Sequence, residues 1–561
     1  MRLGDLRLGL GASRYSAPAP PVIATITPGV SWNGTAGSGG TPPTDPTRTV
    51  AKPILRIITP PNQTCVTTLK VGFVAAANDN GSLMNTMGIA SVDITYEGNT
   101  LSILAPTLET ITDANGVDRT YRAYWVTLAR NDATNGMATL TAVAKARNVL
   151  FQDRAVSYDF RVNTTEYDGS LEVNSTLSQI VGTRYQTMAA AGSYARVQAW
   201  KNPLITITGG TTYDLGDMGG VYQGDGYLNV IATAPITFAK TAYTTDAAAL
   251  FRPKWDGIRF IGSNITFDMH LAQAVYHEAS ARQHWFDGCT ITNSAGRYDL
   301  WREGAKNTVI GYVCRNNPWF TECDVGKVAN PAVNASLVRG GYWHELWSDV
   351  FSDARCVVPA RVHDVDSTDY AADVLAMTVV YTGVEATASI ACSGAADASS
   401  KVFTAKWGAN SATFTVGNTE AKRNANTYLF SQVATWINGL AAGWLATVID
   451  NTRRASSVTL LAGKGVAFSD TSVKTTALSL YSMFDVHADL IQLGNAGLLE
   501  NGYYADILAT GLIGQNIFPT SSGGAKDFLF ANIACHNKPG DTAYDSNANL
   551  ISQLGNATSA N

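Results

Sequence analysis

The chain has 561 residues, too many for one compact core, and we expect two to four domains. Only 15% of the residues are charged and 50 are glycine, which argues against a helix-rich protein and favours short strands joined by turns. The net charge of −5, without any Lys/Arg run, gives no sign of nucleic-acid binding, and no apolar stretch approaches the ~20 residues of a membrane span.

The seven cysteines are scattered and never occur in CxxC spacing. This pattern predicts buried free thiols made in a reducing cytosol rather than a disulfide scaffold or a zinc site. The start, "MRLGDLRLGLG", lacks an apolar central region and carries Asp5. We therefore expect no secretory signal.

The first 53 residues divide into two segments. Residues 1–16 are a Leu/Gly/Arg peptide too small to fold alone, and residues 17–53 are rich in Pro, Gly and Thr, which predicts a linker. A short peptide on a long linker commonly docks onto another protein. A disordered terminus explains the same composition.

Residues 54–163 alternate apolar and polar side chains in short runs such as "VTTLKVGFVA", "YRAYWVTLA" and "MATLTAVAKA". Turn sequences such as "DANGVD" separate these runs. About six strands in such a length predict an immunoglobulin-like β-sandwich, a module that usually acts as a spacer or a weak adhesin.

Paired short strands then recur at irregular intervals over residues 164–376 and again over 483–561. Gly262, Gly288, Gly311 and Gly340 fall at comparable places between paired runs. This pattern predicts a right-handed parallel β-helix with loops of varying length. A sandwich or a propeller shows similar strands but more regular spacing.

Residues 377–482 interrupt this rhythm with longer strands and the amphipathic segment "NTYLFSQVATWINGL". We predict a small α+β module inserted into the β-helix. Its ends, Ala376 and Tyr481, must then lie close together so that the coil can continue. The predicted fold class is therefore mainly β, with a sandwich, a β-helix and one inserted module.

Two clusters of His and acidic residues flank the predicted insertion and would lie on neighbouring coils. Asp366, Asp369, His487 and Asp489 are the candidate catalytic residues, since carboxylates with an imidazole can act as general acid and base in sugar cleavage. Asp oxygens could equally bind Ca²⁺, and Asp and His also cap turns at strand corners. We predict no metal site and no cofactor.

A second stretch, "YWHELWSDVFSDAR", combines aromatic rings with acids, as sugar-binding grooves do. The candidate carbohydrate-binding residues are Trp343, His344, Glu345, Trp347, Asp349, Asp353 and Arg355. Trp285, Trp301, Glu303 and Trp319 extend the hypothesis to adjacent coils. Burial of the tryptophans in the core explains the aromatics equally well.

The domain order, the start "MRLGDLRLGLG" and the series ending in "SDVFSDARCVVPARVHDVDSTDY" resemble phage tail fibre and tailspike proteins, especially those of phages of alphaproteobacteria. The resemblance implies a homotrimer in the virion tail, made in the host cytoplasm, that contacts other tail proteins through residues 1–16. It also implies recognition of host surface polysaccharide, which some members cleave.

We therefore expect a structural virion protein that attaches to surface polysaccharide. The alternative is a tailspike enzyme, a polysaccharide lyase or glycoside hydrolase. A bacterial surface adhesin is a third possibility, which the expected lack of a signal peptide disfavours.

Overall fold

The computed structural model describes residues 52–77, 87–131, 136–148, 151–214, 226–239, 250–251, 257–269, 274–275, 284–292, 317–328, 331–332, 334–346, 350–363, 373–393, 400–417, 430–449, 458–459, 468–483, 490–493, 499–512, 516–519 and 525–537. Within these ranges the chain is mainly β, as the composition predicts, and it contains large parallel sheets. The predicted peptide 1–16 and most of the linker 17–53 lie outside the described residues.

The first unit consists of two facing sheets with the strand orders β1-β3-β7-β6 and β2-β9-β8-β4-β5. Neighbouring strands are antiparallel, except that β2 and β9 are parallel. The strands are β1 (Ile54–Ile57), β2 (Thr64–Cys65), β3 (Thr68–Ala76), β4 (Ile89–Tyr96), β5 (Asn99–Ile103), β6 (Thr107–Thr112), β7 (Asp118–Ala129), β8 (Gly136–Ala146) and β9 (Arg154–Val162).

Strand alternation creates the core of this two-sheet unit. Val71 and Phe73 from one sheet meet Leu140 and Phe160 from the other, and all four are fully buried. Because side chains alternate between faces, the residues between them point away from this core. We refer to residues 54–162 as the sandwich.

The second unit begins with β10 and contains one short helix. Thr187 caps that helix by accepting a hydrogen bond from the Ala190 N–H, as N-cap threonines do. The elements are β10 (Ser170–Asn174), β11 (Arg184–Tyr185), α1 (Met188–Val197), β12 (Leu204–Gly209), β13 (Thr212–Tyr213), β14 (Leu228–Ala232), β15 (Ile236–Phe238), β16 (Leu250–Phe251), β17 (Ile258–Ile261), β18 (Ile265–Asp268), β19 (Ala274–Val275), β20 (Trp285–Asp287), β21 (Thr290–Thr292), β22 (Trp319–Thr321), β23 (Asp324–Gly326), β24 (Leu337–Arg339), β25 (Tyr342–His344), β26 (Phe351–Ser352), β27 (Cys356–Val357) and β28 (Ala360–His363).

The third unit is inserted between β28 and the next strand of the parallel sheets. It forms two antiparallel sheets, β33-β29-β36-β34 and β32-β31-β30-β35, with a separate apolar core. Its elements are β29 (Asp373–Tyr381), β30 (Ala388–Ser393), β31 (Ser400–Trp407), β32 (Asn410–Gly417), α2 (Phe430–Asn438), β33 (Trp444–Val448), β34 (Val458–Thr459), β35 (Phe468–Ser472) and β36 (Leu478–Met483).

The ends of this insert lie side by side. Strands β29 and β36 are antiparallel, with Leu375 opposite Tyr481 and Asp373 opposite Met483. This confirms the prediction that the two ends meet. The predicted helix is present as α2, and it buries Val433 and Ile437.

The chain then returns to the parallel sheets, which it extends with a final group of strands. These are β37 (Ile491–Leu493), β38 (Leu499–Ala505), β39 (Ile507–Leu512), β40 (Ile517–Pro519), β41 (Ala525–Ala531) and β42 (Ala534–Asn537). Val357 in β27 pairs directly with Tyr504 in β38, so the parallel sheet continues across the insert without a gap.

Successive strands of the second unit alternate between stacked parallel sheets. One sheet has the order β11-β10-β12-β14-β17-β20-β22-β24-β27-β38-β41, another has β13-β15-β18-β21-β23-β25-β28-β39-β42, and a third has β26-β37-β40. We call the first two the eleven-stranded and the nine-stranded sheet. From β12 onward, each circuit of the chain adds one strand to each of these two sheets.

Inward-facing side chains of successive circuits stack on one another. Phe260, Phe286 and Phe320 occupy neighbouring register positions, and their ring centroids are 5.6 and 5.2 Å apart. Trp343 meets Phe320 edge to face from the opposite sheet, at 5.4 Å. This continuous stack forms the interior between the two sheets.

Left-handed backbone marks the corner between these sheets. Gly262, Gly288 and Gly340 have φ of 95°, 68° and 71°, a region that glycine enters without steric cost. Glu322 and Asp506 occupy equivalent corners with φ of 56° and 59°. The predicted corner glycines are thus confirmed, except for Gly311, which lies outside the described residues.

The sandwich packs against the outer face of the eleven-stranded sheet. Ile58, Val74 and Tyr121 of the sandwich share an apolar cluster with Trp285 and Trp319 of the sheet. The sandwich therefore covers part of the eleven-stranded sheet and removes both tryptophans from solvent.

Two further predictions concern thiols and membranes. The described cysteines are free, and five of them are buried. Neither described helix is long or apolar enough to cross a membrane.

Candidate functional site

The outer face of the nine-stranded sheet carries a half-buried polar surface. Its strands place side chains in register, so that two rows cross the sheet. One row is Thr266, Thr290, Asp324, Tyr342 and Arg361, and the other is Asp268, Thr292, Gly326, His344, His363 and Thr510. We call these two rows the polar face.

His344 is the centre of a charged cluster on this face. Its Nε2 lies 3.0 Å from Oδ1 of Asp324 on the preceding circuit, and its Nδ1 lies 3.3 Å from Oε1 of Glu345. Lys327 is 3.6 Å from the second oxygen of Glu345. Gly326 is the register neighbour of His344, and any Cβ there would overlap the imidazole ring.

This environment determines the charge of His344. Burial alone lowers the pKa of the imidazole, but the hydrogen bonds to Asp324 and Glu345 outweigh it and raise the pKa to about 9. His344 is therefore an imidazolium at neutral pH. An imidazolium can donate hydrogen bonds but cannot accept a proton, so at neutral pH this ring cannot serve as a general base.

A loop of the sandwich completes the cluster. Asp113 lies between β6 and β7, and its Oδ2 accepts a bond of 2.9 Å from Nη1 of Arg361. The guanidinium of Arg361 lies 4.5 Å from the ring centre of Tyr342, and that ring stacks on His344 at 4.6 Å. The sandwich therefore fixes the orientation of side chains on the polar face.

The carbohydrate-binding residues predicted from "YWHELWSDVFSDAR" do not form one groove. His344 and Glu345 belong to the polar face, whereas Arg355 precedes β27 of the other sheet. Trp347 and Asp349 lie outside the described residues.

Two of these predictions need correction. Trp343 is 0% exposed and faces the interior, because its strand alternates and His344 takes the outward position. Asp353 is 2% exposed at a corner with φ of 52°. Neither side chain has surface available for a sugar.

The hypothesis that Trp285 and Trp319 extend a sugar-binding surface also needs correction. Trp285 and Trp319 are 3% and 5% exposed because the sandwich covers them. The guanidinium of Arg259 lies 3.7 Å from the ring centre of Trp285, and Trp285 Nε1 donates to Thr321 at 2.7 Å. Trp301 and Glu303 lie outside the described residues.

The four candidate catalytic residues, Asp366, Asp369, His487 and Asp489, also lie outside the described residues. Their sequence positions are nevertheless informative. Residues 364–372 connect β28 to β29, and residues 484–489 connect β36 to the coil. These connections leave the insert at Asp373 and Met483, which are directly paired.

Sequence reasoning missed Asp113 and Asp324. Asp324 lies one circuit before His344, in "CDVG", and only the register of the parallel strands brings them together. Asp113 is far from the coil in sequence, within a turn motif. The corner before Asp324 is Glu322 rather than a glycine, so the glycine pattern does not reveal this circuit. No local pattern indicates the contact of Asp113 with Arg361 either.

Among the described residues, no group of three His, Cys, Asp or Glu side chains has the arrangement of a metal site. No protein-family model, curated protein or solved structure matches this chain. Its function must therefore be argued from the stacked sheets and the polar face.

Proposed function

We propose that this chain is a phage tail fibre or tailspike type of attachment protein, which binds host surface polysaccharide through its polar face. Successive circuits that each add a strand to both sheets support a parallel β-helix as its body. The facing antiparallel sheets of residues 54–162 support an immunoglobulin-like module. Homotrimer formation, a place in the virion tail and docking through residues 1–16 belong to the same proposal.

The observation that carries the proposal is the ladder of polar side chains on one face. Parallel strands lie about 4.8 Å apart, so a polymer that crosses them meets hydrogen-bonding groups at regular steps. Thr266, Thr290 and Asp324 offer such groups on successive circuits, and all are half-buried. Rigid, repeated groups suit a repeating sugar chain better than a small compact ligand.

The charges on this face suit a polymer with little net charge. Asp324 and Glu345 are balanced by His344 and Lys327, and Asp113 is balanced by Arg361. A neutral sugar chain can use these groups as hydrogen-bond donors and acceptors without adding an uncompensated charge.

Polysaccharide cleavage is a second candidate function, and one observation favours it. In the sequence, Asp366 and Asp369 precede Asp373, and His487 and Asp489 follow Met483, and Asp373 and Met483 are paired across β29 and β36. Carboxylates brought together there could act as acid and base on a sugar chain held on the coil.

The proposal is tested with purified capsular and O-chain polysaccharides of alphaproteobacteria, immobilised for binding and free for chain-length analysis. Asp324→Asn should weaken binding of the recognised polymer by about tenfold or more, since a charged hydrogen-bonding group contributes about 1.5–3 kcal/mol. The control Glu172→Gln, which alters an acidic residue on β10 of the other sheet, should bind like the wild type.

Equal binding by Asp324→Asn and the control would contradict the assignment of the polar face. Binding without a change in polymer length supports an attachment protein. Shortening of the polymer that is lost in Asp489→Asn would establish the enzyme instead.

A further inference from the structure

Three exposed leucines lie along one side of the sandwich, where the chain passes from β5 to β6. Leu101 is on β5, Leu108 is on β6, and Leu104 lies in the short link between these strands. Each of the three side chains is more than half exposed, although leucine is usually buried in folded proteins. Exposed apolar side chains that cluster in this way commonly mark an interaction surface.

The register of the strands places two of these leucines on the inner faces of the sandwich. Leu101 pairs with the buried core residue Ile94, and paired side chains lie on the same face of a sheet. Leu108 pairs with Arg122, which is two residues from the buried core residue Tyr124, so Leu108 also points toward the facing sheet. Among the described residues, nothing covers this side of the core, and the leucines line a groove between the two sheets.

The groove is bounded by two strands that each end a sheet. Strands β5 and β6 stand last in the orders of their sheets, so each has a neighbour on one side only among the described strands. Alternate N–H and C=O groups of such a strand point to the free side, where an added strand can bond them. Strand β1, at the opposite edge of the sheet that contains β6, differs because Asn501 bonds the free N–H and C=O of Leu55.

A segment of this chain outside the described residues has a sequence that fits the groove. Residues 22–27, "VIATIT", alternate so that Val22, Ala24 and Ile26 share one apolar face of an extended strand. Prolines flank this run at both ends, and proline has no N–H with which to continue a ladder. The run of six residues therefore matches the length of β5, which has five.

The connection between this segment and the sandwich is long enough to reach the groove. Residues 28–53 make up 26 residues, which span up to about 85 Å at about 3.3 Å per residue. The described residues begin at Lys52, next to β1, and a sheet of four strands is only about 15–20 Å wide. The segment can therefore cross the sandwich to its opposite edge without help from a second copy.

We propose that residues 22–27 enter the groove between β5 and β6 of the same chain as an added strand. The apolar face of the segment covers Leu101 and Leu108, and its backbone bonds the free edge of β5. In binding of this kind, main-chain hydrogen bonds supply affinity and alternate side chains supply specificity. The added strand also holds residues 1–16 at the side of the sandwich, independently of the polar face.

Hydrogen exchange of the full chain, measured by mass spectrometry on fragments that contain β5, tests the proposal. When Gly-Ser repeats of equal length replace residues 22–27, the β5 amides should exchange at least about tenfold faster than in the wild type. An excess of a synthetic peptide with the sequence of residues 20–29 should restore slow exchange in this variant.

Two single substitutions form a matched pair that leaves the sandwich itself unchanged. Ile26→Asp places a carboxylate on the apolar face and should speed the exchange of β5 at least about tenfold, because a charge is costly to bury in the groove. Thr25→Asp alters the opposite face of the segment and should exchange like the wild type.

Two results would overturn the proposal. Equal exchange of β5 in the wild type and in both the Gly-Ser and Ile26→Asp variants, whether fast or slow, would show that residues 22–27 do not cover this edge. Loss of the wild-type protection on dilution would assign the added strand to a second copy instead of the same chain.

Discussion

At the scale of single residues, side chains along "YWH" alternate between the interior and the outer face of the sheet, and this determines which of them can reach a ligand. Trp343 faces the interior, and its neighbours Tyr342 and His344 face outward. The sequence predicts that these neighbours point to opposite sides. It does not predict which side is the interior, because that depends on the strands of the preceding and following circuits.

We predict that His344 makes the stability of the protein depend on pH. Its pKa of about 9 exceeds the ordinary value of 6.5, so its stabilising contribution is complete below pH 6.5 and is lost as the pH rises to 9. We expect the free energy of unfolding to fall by roughly 1–3 kcal/mol over this window. Denaturant titrations at several pH values measure the fall, which should be much smaller in His344→Gln.

The exposed Arg196 offers a matched control, since Arg196→Gln should keep the wild-type pH dependence. An NMR titration of the His344 ring measures its pKa directly. A value near 6.5, or the same pH dependence in His344→Gln as in the wild type, would show that the two carboxylates do not hold the ring charged.

At the scale of elements, β1 is an edge strand whose free backbone groups are hydrogen-bonded by a side chain. Asn501 donates from Nδ2 to the carbonyl of Leu55 and accepts the Leu55 N–H at Oδ1, both at 2.9 Å. The amide thus takes the place of a neighbouring strand in a position with φ of 64°. It protects an edge that would otherwise expose unpaired backbone groups.

Asn501→Gly keeps the left-handed backbone but leaves the buried N–H and C=O of Leu55 unpaired. We expect a loss of about 2–4 kcal/mol in the free energy of unfolding, measured by denaturant titration. Asn532→Gly is the matched control, because Asn532 also has positive φ but an exposed side chain. Similar stability of the two variants would mean that Asn501 does not join the units.

Other element-level features were predictable because their signals are local. Glycine marks the corners at Gly262, Gly288 and Gly340, because it adopts positive φ without a steric cost. A change in strand length marks the insert, whose ends meet at Leu375 and Tyr481. Asn264, two residues after the corner at Gly262, does not have a positive φ, and its side chain donates to the Ala232 carbonyl at 3.0 Å.

At the scale of the whole molecule, long-range contacts determine which surfaces remain open. The sandwich covers Trp285 and Trp319 on the eleven-stranded sheet, while its Asp113 reaches Arg361 at the nine-stranded sheet. No local pattern encodes these contacts, because the partners are far apart in sequence. The sequence therefore suggested a sugar-binding surface around the tryptophans, but the sandwich covers them. The side chains of the polar face, in contrast, are half-buried and partly reach solvent.

The most direct test of the central claim is a crystal structure of the chain with a bound oligosaccharide from its recognised polymer. We predict that the sugar chain crosses β21, β23, β25 and β28 and that it contacts Asp324 and His344 on the polar face. An oligosaccharide bound only to the insert, to the sandwich or to the eleven-stranded sheet would contradict it.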